Sequence, residues 1–466
     1  MQHGFAIIID IGKTLSKVSL WSRDGKMLDR VTRPNAPLVL DGIRRLDAEG
    51  IAAFVLAALA RMGSDTVEYI VPVAHGAGLA ALDGGRLVTL PFDYEQALPP
   101  EMLPRYRTAR APFAETGSPA LPGGLNLGAQ AWWLDHLLGH AMERATLLPW
   151  AQYWAWFVTG EASSEVTSLG CHSDLWNPTA GHFSSLAERM GWAQRFAPMA
   201  MAADAVGTLK AEIAARCGLS PRVRVLAGLH DSNAALLAAR GFRAIAGKEV
   251  TVLSTGTWFI AMRLACLPLN LAALPEARDC LVNVDAFGKP VPSARFMGGR
   301  EIESLIAIDT RQVDIKPDQP HLLASVGPLL QSGGMVLPTL APGTGPFPDA
   351  SGGWIKRPDD WFARRAGACL YAALVADSAL DLIGSSERLL VEGRFAEAQV
   401  FVRALAALRP GTQVFTANAH NDVSFGALRL IDPDLVPDGE LQAVEPLGED
   451  VKTYKQHWTR LVESNQ

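Results

Sequence analysis

The sequence is poor in cysteine and lacks the spacings that cysteine-based sites require. Its 466 residues include five cysteines, an odd number, scattered along the chain and without a C-x-x-C pair. This distribution disfavours both a disulfide framework and a structural zinc site. We therefore expect reduced core cysteines of a cytoplasmic protein at Cys171, Cys217, Cys266, Cys280 and Cys369.

Long apolar runs and basic runs are also missing. No stretch of about 18 apolar residues could span a membrane, and the N-terminus lacks the basic segment of a signal peptide. The 42 basic and 48 acidic residues give a net charge of −6, without a Lys/Arg run of five. These features predict a soluble cytoplasmic protein that binds a small molecule rather than a nucleic acid or a membrane. A homodimer is one of the oligomeric states left open.

A complete P-loop is absent too, although the letters GKT occur at residues 12–14. The motif G-x-x-x-x-G-K-[ST] would need a glycine at the position of Ile7. A P-loop is also followed by a helix, whereas residues 16–21 alternate between apolar and polar side chains as a strand does. The turn Asp24-Gly25 then precedes a third strand, so the segment is predicted to be strand, Gly/Thr turn, strand.

Such a turn can still bind phosphate. Gly12 allows close approach of the backbone to a ligand oxygen, Lys13 offers a charge, and Thr14 offers a hydroxyl group. Asp10 supplies a carboxylate suited to hydrated Mg²⁺. The alternative is that these residues form only a turn.

The chain length and its 49% hydrophobic content predict two or more domains, and two is our working number. Strands are predicted at 6–9, 69–73 and 86–90, helices at 51–62, 127–140 and 150–158, and a long surface excursion or lid at 99–125. The boundary is placed near residue 243. The predicted domains are 1–243 and 244–430, with a C-terminal tail at 431–466.

Asp231 is the best single catalytic candidate. The apolar strand 223–227 leads into Gly228-Leu229-His230-Asp231 and then an alanine-rich helix, which places Asp231 near the N-terminus of that helix. A carboxylate there could accept the proton of a sugar hydroxyl as it attacks a γ-phosphate. The alternative is that Asp231 only caps the helix.

A second strand-turn-strand begins the second half of the chain and repeats the plan of the first. Strands 249–253 and 258–263 flank a turn of small hydroxyl residues and glycine, which could hold phosphates as the first turn does. The residues of this predicted phosphate site are Ser254, Thr255, Gly256 and Thr257. The repeat indicates an internal duplication.

Candidate sugar ligands are scattered over several polar segments. The stretch 165–178 combines carboxylates, imidazole and indole, which suits a sugar, although a turn aspartate and a core tryptophan explain it equally. The predicted substrate-binding residues are His75, Asp93, Glu95, His172, Asp174, Trp176, His230 and Arg300.

The ordered motifs "IIIDIGKTLSKVSLW", "WFVTGEASSEVTSLGCHSDLWNP", "VLAGLHDSNAALLA", "VLSTGTWFIA" and "LLVEGRFAEAQVFVRAL" together resemble the FGGY family of carbohydrate kinases. The resemblance implies an α/β fold of two actin- and hexokinase-like domains, which are ribonuclease H-like. Each would hold a mixed five-stranded sheet flanked by helices, and a cleft would lie between them. It implies transfer of the γ-phosphate of ATP to a sugar hydroxyl, with Mg²⁺ as cofactor.

Carried over by position, the resemblance makes Asp231 the catalytic base and the two turns the phosphate motifs. Gly393 matches the adenosine motif, and Asp10 and Asp231 are the implied metal ligands. The local sequences around His230 and Trp258 most resemble those of rhamnulose, fuculose and ribulose kinases. This resemblance implies that the substrate is a ketose. The sugar would bind mainly to the N-terminal domain and ATP to the C-terminal one, with closure about a hinge near residue 243.

Two departures from the family pattern keep alternatives open. The adenosine motif reads Glu392-Gly393-Arg394-Phe395 instead of a run of glycines, and "LPFDYEQ" replaces the Trp-x-Asp-x-Arg motif of xylulose and glycerol kinases. The alternatives are a catalytically silent sugar or nucleotide sensor and a kinase of a non-sugar polyol. Retention of Asp231 and both turns speaks against the sensor.

Overall fold

The structure is a computed structural model that describes residues 4–265, 268–309, 314–417 and 423–465. Cys266 lies outside the described residues. The strands in chain order are β1 (Phe5–Ile11), β2 (Leu15–Ser22), β3 (Met27–Pro34), β4 (Leu38–Leu40), β5 (Ile43–Arg45), β6 (Val67–Ala74), β7 (Leu79–Asp83), β8 (Arg86–Leu87), β9 (Thr146–Pro149), β10 (Ser164–Glu165), β11 (Trp176–Asn177), β12 (His182–Phe183), β13 (Met199–Ala200), β14 (Ala205–Thr208), β15 (Arg224–Leu226), β16 (Leu229–His230), β17 (Val250–Thr255), β18 (Phe259–Leu264), β19 (Cys280–Val284), β20 (Pro290–Phe296), β21 (Met335–Leu337), β22 (Gly353–Ile355), β23 (Arg388–Gly393), β24 (Gln413–Ala417) and β25 (Leu441–Ala443).

The helices range from single turns to the 22-residue helix that starts at Trp361. They are α1 (Ala48–Arg61), α2 (Leu103–Ala109), α3 (Phe113–Thr116), α4 (Leu127–Leu138), α5 (His140–Glu143), α6 (Trp150–Thr159), α7 (Val166–Leu169), α8 (Ser185–Arg189), α9 (Ala211–Cys217), α10 (Asp231–Ala239), α11 (Gly298–Ile306), α12 (Gln319–Ala324), α13 (Val326–Ser332), α14 (Trp361–Leu382), α15 (Gln399–Leu408), α16 (Val423–Leu428) and α17 (Val451–Ser464).

Internal contacts divide the described chain into two compact units. The N-terminal unit comprises residues 4–243, 282–290 and 423–437, and the C-terminal unit comprises the remainder. The predicted boundary after residue 243 coincides with the first division. Two later segments that we had assigned to the C-terminal domain and the tail instead pack in the N-terminal unit. Residues 438–465 are not a separate tail, because they belong to the C-terminal unit and end in α17.

The sheet of the N-terminal unit has the order β14-β15-β6-β1-β2-β3, with β16 also paired to β6. Strand β1 runs antiparallel to β2 and parallel to β6. Its alternate residues are buried on opposite faces of the sheet, because side chains along a strand point alternately to either side. Ile7 and Ile9 join a cluster with α1, α6 and α9, whereas Ala6 and Ile8 join one with α10 and α16.

The sheet of the C-terminal unit repeats this plan in the order β19-β20-β18-β17-β23-β24-β25. Strand β17 runs antiparallel to β18 and parallel to β23, as β1 does to β2 and β6. The duplication indicated by the two hairpin sequences is therefore present in the strand pairing. Each sheet has seven strands rather than the five expected, because short strands such as β16 and β25 add to it.

Two local predictions were wrong. The strand predicted at 86–90 is limited to Arg86–Leu87. The predicted surface lid at 99–125 instead contains α2 and α3, and several of its side chains are core residues. Tyr106 is 3% exposed, and the hydroxyl residues Thr116 and Ser118 are also buried. The prolines and glycines of this stretch separate short helices rather than forming a free loop.

Candidate active site

The first of the two predicted turns contains the letters GKT and joins β1 to β2. It is a hairpin turn, as predicted, and not a P-loop. Gly12 N donates to Leu15 O at 3.1 Å, which closes the turn. Asn35 holds it from outside, since its Nδ2 donates to Gly12 O at 2.8 Å and its backbone N donates to Thr14 O. The Thr14 side chain is exposed. The turn thus presents a fixed backbone and one hydroxyl group to its surroundings.

The charges of this hairpin are paired within the N-terminal unit. Asp10 is 2% exposed, and its Oδ2 accepts a hydrogen bond from Lys17 Nζ at 2.8 Å. Lys13 turns the other way, where its Nζ donates to Asp93 Oδ1 and lies 3.7 Å from Glu95 Oε2. It also lies 4.7 Å from the centre of the Tyr94 ring. The predicted phosphate lysine is therefore held by the segment that we expected to bind sugar.

Asp93 is fully buried at the centre of a four-charge cluster. Arg44 Nη2 lies 2.9 Å from Glu95 Oε2 and 3.5 Å from Asp93 Oδ2. Burial alone would raise the pKa of Asp93, but Lys13 and Arg44, with the backbone N of Glu95, lower it below its usual value. Asp93 therefore stays ionised at neutral pH.

Asp231 is the first residue of α10, and its side chain is 30% exposed. The capping position belongs to His230, which makes no side-chain capping bond, so the capping explanation of Asp231 loses support. Oδ1 of Asp231 lies 3.1 Å from His230 Nε2 and accepts from Ser232 Oγ at 3.3 Å. Neither of these contacts involves Oδ2. Burial would raise the pKa of Asp231, but His230 outweighs it and lowers the pKa.

His230 is itself fixed from beneath by buried groups. Its Nε2 lies 3.8 Å from Cys171 Sγ, and Gly76 leaves room for both, since a Cβ there would lie 2.8 Å from that nitrogen. Its backbone N donates to Thr167 Oγ1 at 2.9 Å, and that hydroxyl donates to Glu165 at 2.6 Å. Burial raises the pKa of Glu165 to about 7. The residue before the catalytic candidate is thus anchored at both its ring and its backbone.

The second turn joins β17 to β18 in the C-terminal unit and uses hydroxyl groups instead of charges. Thr255 is 2% exposed, and its Oγ1 donates to Glu392 O at 2.6 Å and accepts from Phe395 N at 3.0 Å. Gly393 pairs with Thr255 across β17 and β23 and has φ +84°. A Cβ at Gly393 would lie 2.6 Å from Thr255 O. The predicted second phosphate motif and the predicted adenosine motif therefore contact each other directly. The side chains of Ser254 and Thr257 are exposed beside this contact.

The remaining predicted sugar ligands separate into different places. The carboxylate of Asp174 is fully buried and accepts from Arg110 Nη2 at 2.9 Å and from Tyr106, which favours a structural role for it. Trp176 is 8% exposed and packs on Phe183, as a core aromatic does. Arg300 lies on α11 in the C-terminal unit, where its backbone N donates to Thr257 O.

The two histidines outside the catalytic turn differ in their surroundings. His172 is partly exposed, and its Nδ1 lies 2.9 Å from Leu125 O. His75 follows β6 and packs edge-on against Tyr94, with ring centres 5.4 Å apart. Burial lowers the pKa of His75 to about 4, so it is neutral at pH 7. Four of the predicted sugar ligands are therefore close to Lys13 or Asp231. Asp93 and Glu95 lie beside Lys13, His230 contacts Asp231, and His75 packs against Tyr94 next to Asp93.

Several residues of this site were missed from the sequence. Lys17 and Tyr94 stood inside segments that we had singled out, and their proximity to Asp10 and Asp93 was the available signal. Cys171 also stood inside a singled-out segment, beside His172, but its partner His230 lies 59 residues away. Arg44 and Gln130 carried no local signal, because their partners lie 51 and 53 residues away in the chain.

The carboxylates present suit Mg²⁺ in the mode used by phosphoryl-transfer sites. There the ion takes one or two protein carboxylates and completes its coordination with water and phosphate oxygens. Within the described ranges no cluster of three or more His, Cys, Asp and Glu forms a closed metal site. Asp10 and Asp231, both in the N-terminal unit, are the carboxylates predicted to bind it.

Comparison with solved structures decides the family. A carbohydrate kinase from Novosphingobium aromaticivorans is 65% identical over 100% of this chain and 99% of its own, with a TM-score of 0.97. The profile described as carbohydrate kinase FGGY, C-terminal domain, matches residues 247–438. The chain belongs to the FGGY family of carbohydrate kinases. The resemblance seen in the sequence motifs is confirmed at the level of the family, and the two-domain actin- and hexokinase-like fold with it.

More distant solved structures share the fold of this FGGY kinase. Gluconate kinase from Lactobacillus acidophilus is 13% identical, with 99% of this chain and 98% of that chain covered and a TM-score of 0.80. Plasmodium falciparum glycerol kinase, in a structure with ADP, is 12% identical over the same shares, with a TM-score of 0.79. Among curated proteins no match is found. None of the helices in the described part of the chain is long and apolar enough to cross a membrane.

Proposed function

We propose that this FGGY kinase transfers the γ-phosphate of Mg·ATP to a hydroxyl group of a ketose, such as a ketopentose or deoxyketohexose. The observation that carries the proposal is the arrangement of Asp231. One carboxylate oxygen is held by His230 and Ser232, and the other is left to accept a proton at a partly exposed position. A carboxylate fixed in this way suits a general base.

Asp231 and the residues of the two turns then have separate roles. Asp231 Oδ2 accepts the proton of the acceptor hydroxyl while the new oxygen–phosphorus bond forms and the bond to the β-phosphate oxygen breaks, which releases ADP. Gly12 and Thr14 would bind phosphate oxygens through a backbone N–H and a hydroxyl, and Ser254, Gly256 and Thr257 would do the same. Mg²⁺, when bound, would neutralise phosphate charge. Asp10 would hold it.

Support for ATP and for a ketose comes from different sources. The glycerol kinase of the same fold contains ADP, although identity of 12% extends only to the fold. The Gly-x-His-Asp and Ser-Thr-Gly-Thr-Trp spellings at 228–231 and 254–258 resemble those of rhamnulose, fuculose and ribulose kinases. We propose a cytoplasmic location, because ATP is available there and the four described cysteines are free and buried.

The test is ADP release from Mg·ATP by wild-type protein and Asp231→Asn over a panel of ketoses, aldoses and polyols. We expect one ketose to stimulate release most and the substitution to abolish the stimulation with an unchanged melting temperature. Strongest stimulation by an aldose or by glycerol would refute the ketose assignment. If no sugar stimulated release while ATP still bound, the kinase proposal would be wrong.

A further inference from the structure

Three buried polar atoms near the catalytic turn have no hydrogen-bond partner among the described residues. They are Gln130 Oε1, His75 Nδ1 and Asp93 Oδ2, the last of which has only the ion-pair contact with Arg44 at 3.5 Å. The three side chains are 1%, 7% and 0% exposed, in that order. A buried polar atom without a partner is costly, so such atoms in a native fold point to a missing ligand or water.

All three atoms belong to one neighbourhood around Tyr94. The His75 ring packs edge-on against the Tyr94 ring, and Tyr94 directly follows Asp93. Gln130 Nε2 donates to Ala77 O at 3.0 Å and to Gly124 O at 2.7 Å. The backbone N of Gly124 donates in turn to Tyr94 O at 2.8 Å. Gly76, the residue after His75, lies against the ring of His230, because a Cβ at Gly76 would lie 2.8 Å from His230 Nε2. This neighbourhood therefore adjoins the catalytic turn.

The chemistry of the three atoms specifies the partner they lack. An ionised carboxylate oxygen and an amide oxygen can only accept hydrogen bonds, and a neutral imidazole nitrogen can accept or donate according to its tautomer. Hydroxyl groups of a sugar or polyol can donate to all of these. A carboxylate of a sugar acid donates to none.

The charges of the same neighbourhood point in the same direction. Lys13 is paired with Asp93 and Glu95, and Arg44 is paired with Glu95 and lies near Asp93. Two cations therefore face two anions. An entering carboxylate would have to compete with the buried Asp93 for Lys13, at the cost of leaving one anion unpaired.

We propose that the acceptor is an uncharged polyhydroxy compound whose hydroxyl groups donate to Asp93 Oδ2 and Gln130 Oε1, and that this cluster rejects sugar acids. The inference rests on the proposed kinase function and deepens it. It makes Gln130 a specificity-determining residue and gives Lys13 the role of the counter-ion of Asp93.

The first experiment compares ligands that differ in one charged group. Binding to the full-length protein is measured by calorimetry, and ADP release from Mg·ATP is measured in parallel. The ligands are xylitol and xylulose against xylonate, and sorbitol and fructose against gluconate. We expect the better neutral compound to exceed its matched acid by about 100-fold or more in both measurements.

The two measurements separate failure of the inference from failure of the kinase proposal. If an acid binds or reacts as well as its neutral match, the inference is wrong and the kinase proposal stands. If no compound stimulates ADP release, the kinase proposal fails, and the calorimetric comparison still decides the inference. Binding of neither kind of compound would overturn the inference as well.

Variants then locate the discrimination. Asp93→Asn places an amide donor beside a partly released Lys13, so the preference for neutral compounds should fall by about 10-fold or more. Gln130→Met removes the acceptor Oε1 together with the two donor bonds of Nε2, so neutral compounds should bind about 10-fold more weakly. The control is Asp83→Asn, a half-exposed aspartate in the same unit that pairs only with Arg144 at 3.4 Å among described residues. If both folded variants kept the wild-type preference, the proposed cluster would be wrong.

Discussion

The two hairpins of this kinase share one strand plan and differ in their chemistry. In the N-terminal unit the hairpin of β1 and β2 carries a buried aspartate, Asp10, and two lysines, Lys13 and Lys17. In the C-terminal unit the turn between β17 and β18 carries hydroxyl groups and glycine. Both are flanked by the same antiparallel and parallel neighbours. The strand plan therefore does not determine what a turn can bind, and the side chains placed on it do.

The difference shows how each kind of group has to be held. A buried charge needs an opposite charge, so Lys13 is tied to Asp93, 80 residues along the chain. A buried hydroxyl needs only backbone partners, so Thr255 is tied to Glu392 O and Phe395 N. The N-terminal site is consequently rich in titratable groups, and the hairpin of the C-terminal site has none in its turn.

The largest effect, a loss of kcat, is expected in the N-terminal unit, whose site is rich in titratable groups. Asp231→Asn keeps the size of the side chain and removes the base, so kcat should fall by about 10³-fold or more while KM for the sugar changes little. Steady-state kinetics with the best sugar measure this. Asp83→Asn serves as the control and should retain wild-type kcat. A loss of less than about 10-fold would show that Asp231 is not the base.

The next effect is a pH dependence confined to the N-terminal unit. Burial raises the pKa of Glu165 to about 7 from its ordinary value of 4.5, so between these pH values the folded protein keeps a proton that the unfolded chain has lost. The free energy of unfolding should therefore fall as the pH rises from 4.5 through 7, by on the order of 3 kcal/mol. Denaturant unfolding at several pH values, for wild type and Glu165→Gln, isolates this contribution.

The stability of Glu165→Gln relative to wild type should rise with pH, because only wild type loses stability when Glu165 ionises and glutamine stays neutral. Glu161→Gln, at a nearby exposed position, is the matched control for the substitution itself. A relative stability of Glu165→Gln that stayed constant or fell as the pH rose would contradict the assignment.

A third prediction compares one glycine from each hairpin site. Gly393→Ala should lower the free energy of unfolding by about 2–3 kcal/mol, because φ is +84° and the new Cβ would lie 2.6 Å from Thr255 O. Gly12→Ala should cost less, about 1 kcal/mol, since Gly12 has no positive φ and its Cβ would lie 2.9 Å from Leu15 O. Denaturant unfolding measures both.

Gly411→Ala provides the reference, because no atom lies within 4 Å of a Cβ at that position. It should be close to neutral. An equal cost for Gly12 and Gly393 would remove the distinction between the two turns.

The smallest effect separates the buried from the exposed hydroxyl of the second hairpin. Thr255→Val removes the group that bonds Glu392 O and Phe395 N, so it should cost about 2 kcal/mol of unfolding free energy. Ser254→Ala changes an exposed residue and should stay within about 0.5 kcal/mol. Thermal and denaturant unfolding test the pair. Similar values for both would show that Thr255 does not brace the turn.

The elements with strong local patterns were predicted well from the sequence. The alternation of residues 16–21 and the Asp24-Gly25 turn predicted β2 and β3, and Gly160 predicted the end of α6, where it has φ +86°. The place of Asp231 at the start of a helix also followed from strand, turn and helix in that order. These features depend on residues within about one turn or one strand of each other, where backbone sterics and hydrophobic periodicity act.

Features that depend on distant partners could not be read from the sequence. Asp174 and Trp176 looked like sugar ligands because their segment is polar, but Arg110 and Tyr106 use the aspartate and Phe183 packs on the indole. The segments 282–290 and 423–437 join the N-terminal unit through packing, as at Phe425 against Trp21. No local pattern indicates such a return of the chain.

The sequence by itself determined the two hairpins, the helix that starts at Asp231 and the family motifs, because each is written in neighbouring residues. Only the tertiary structure decided which charges neutralise one another and which polar atoms are left without partners. Lys13 could have bound phosphate or Asp93, and the choice depends on burial of Asp93 by a fold of the whole unit. Electrostatic and hydrogen-bond energies depend on distance in space and on exclusion of water, and neither is encoded at a single position of the chain.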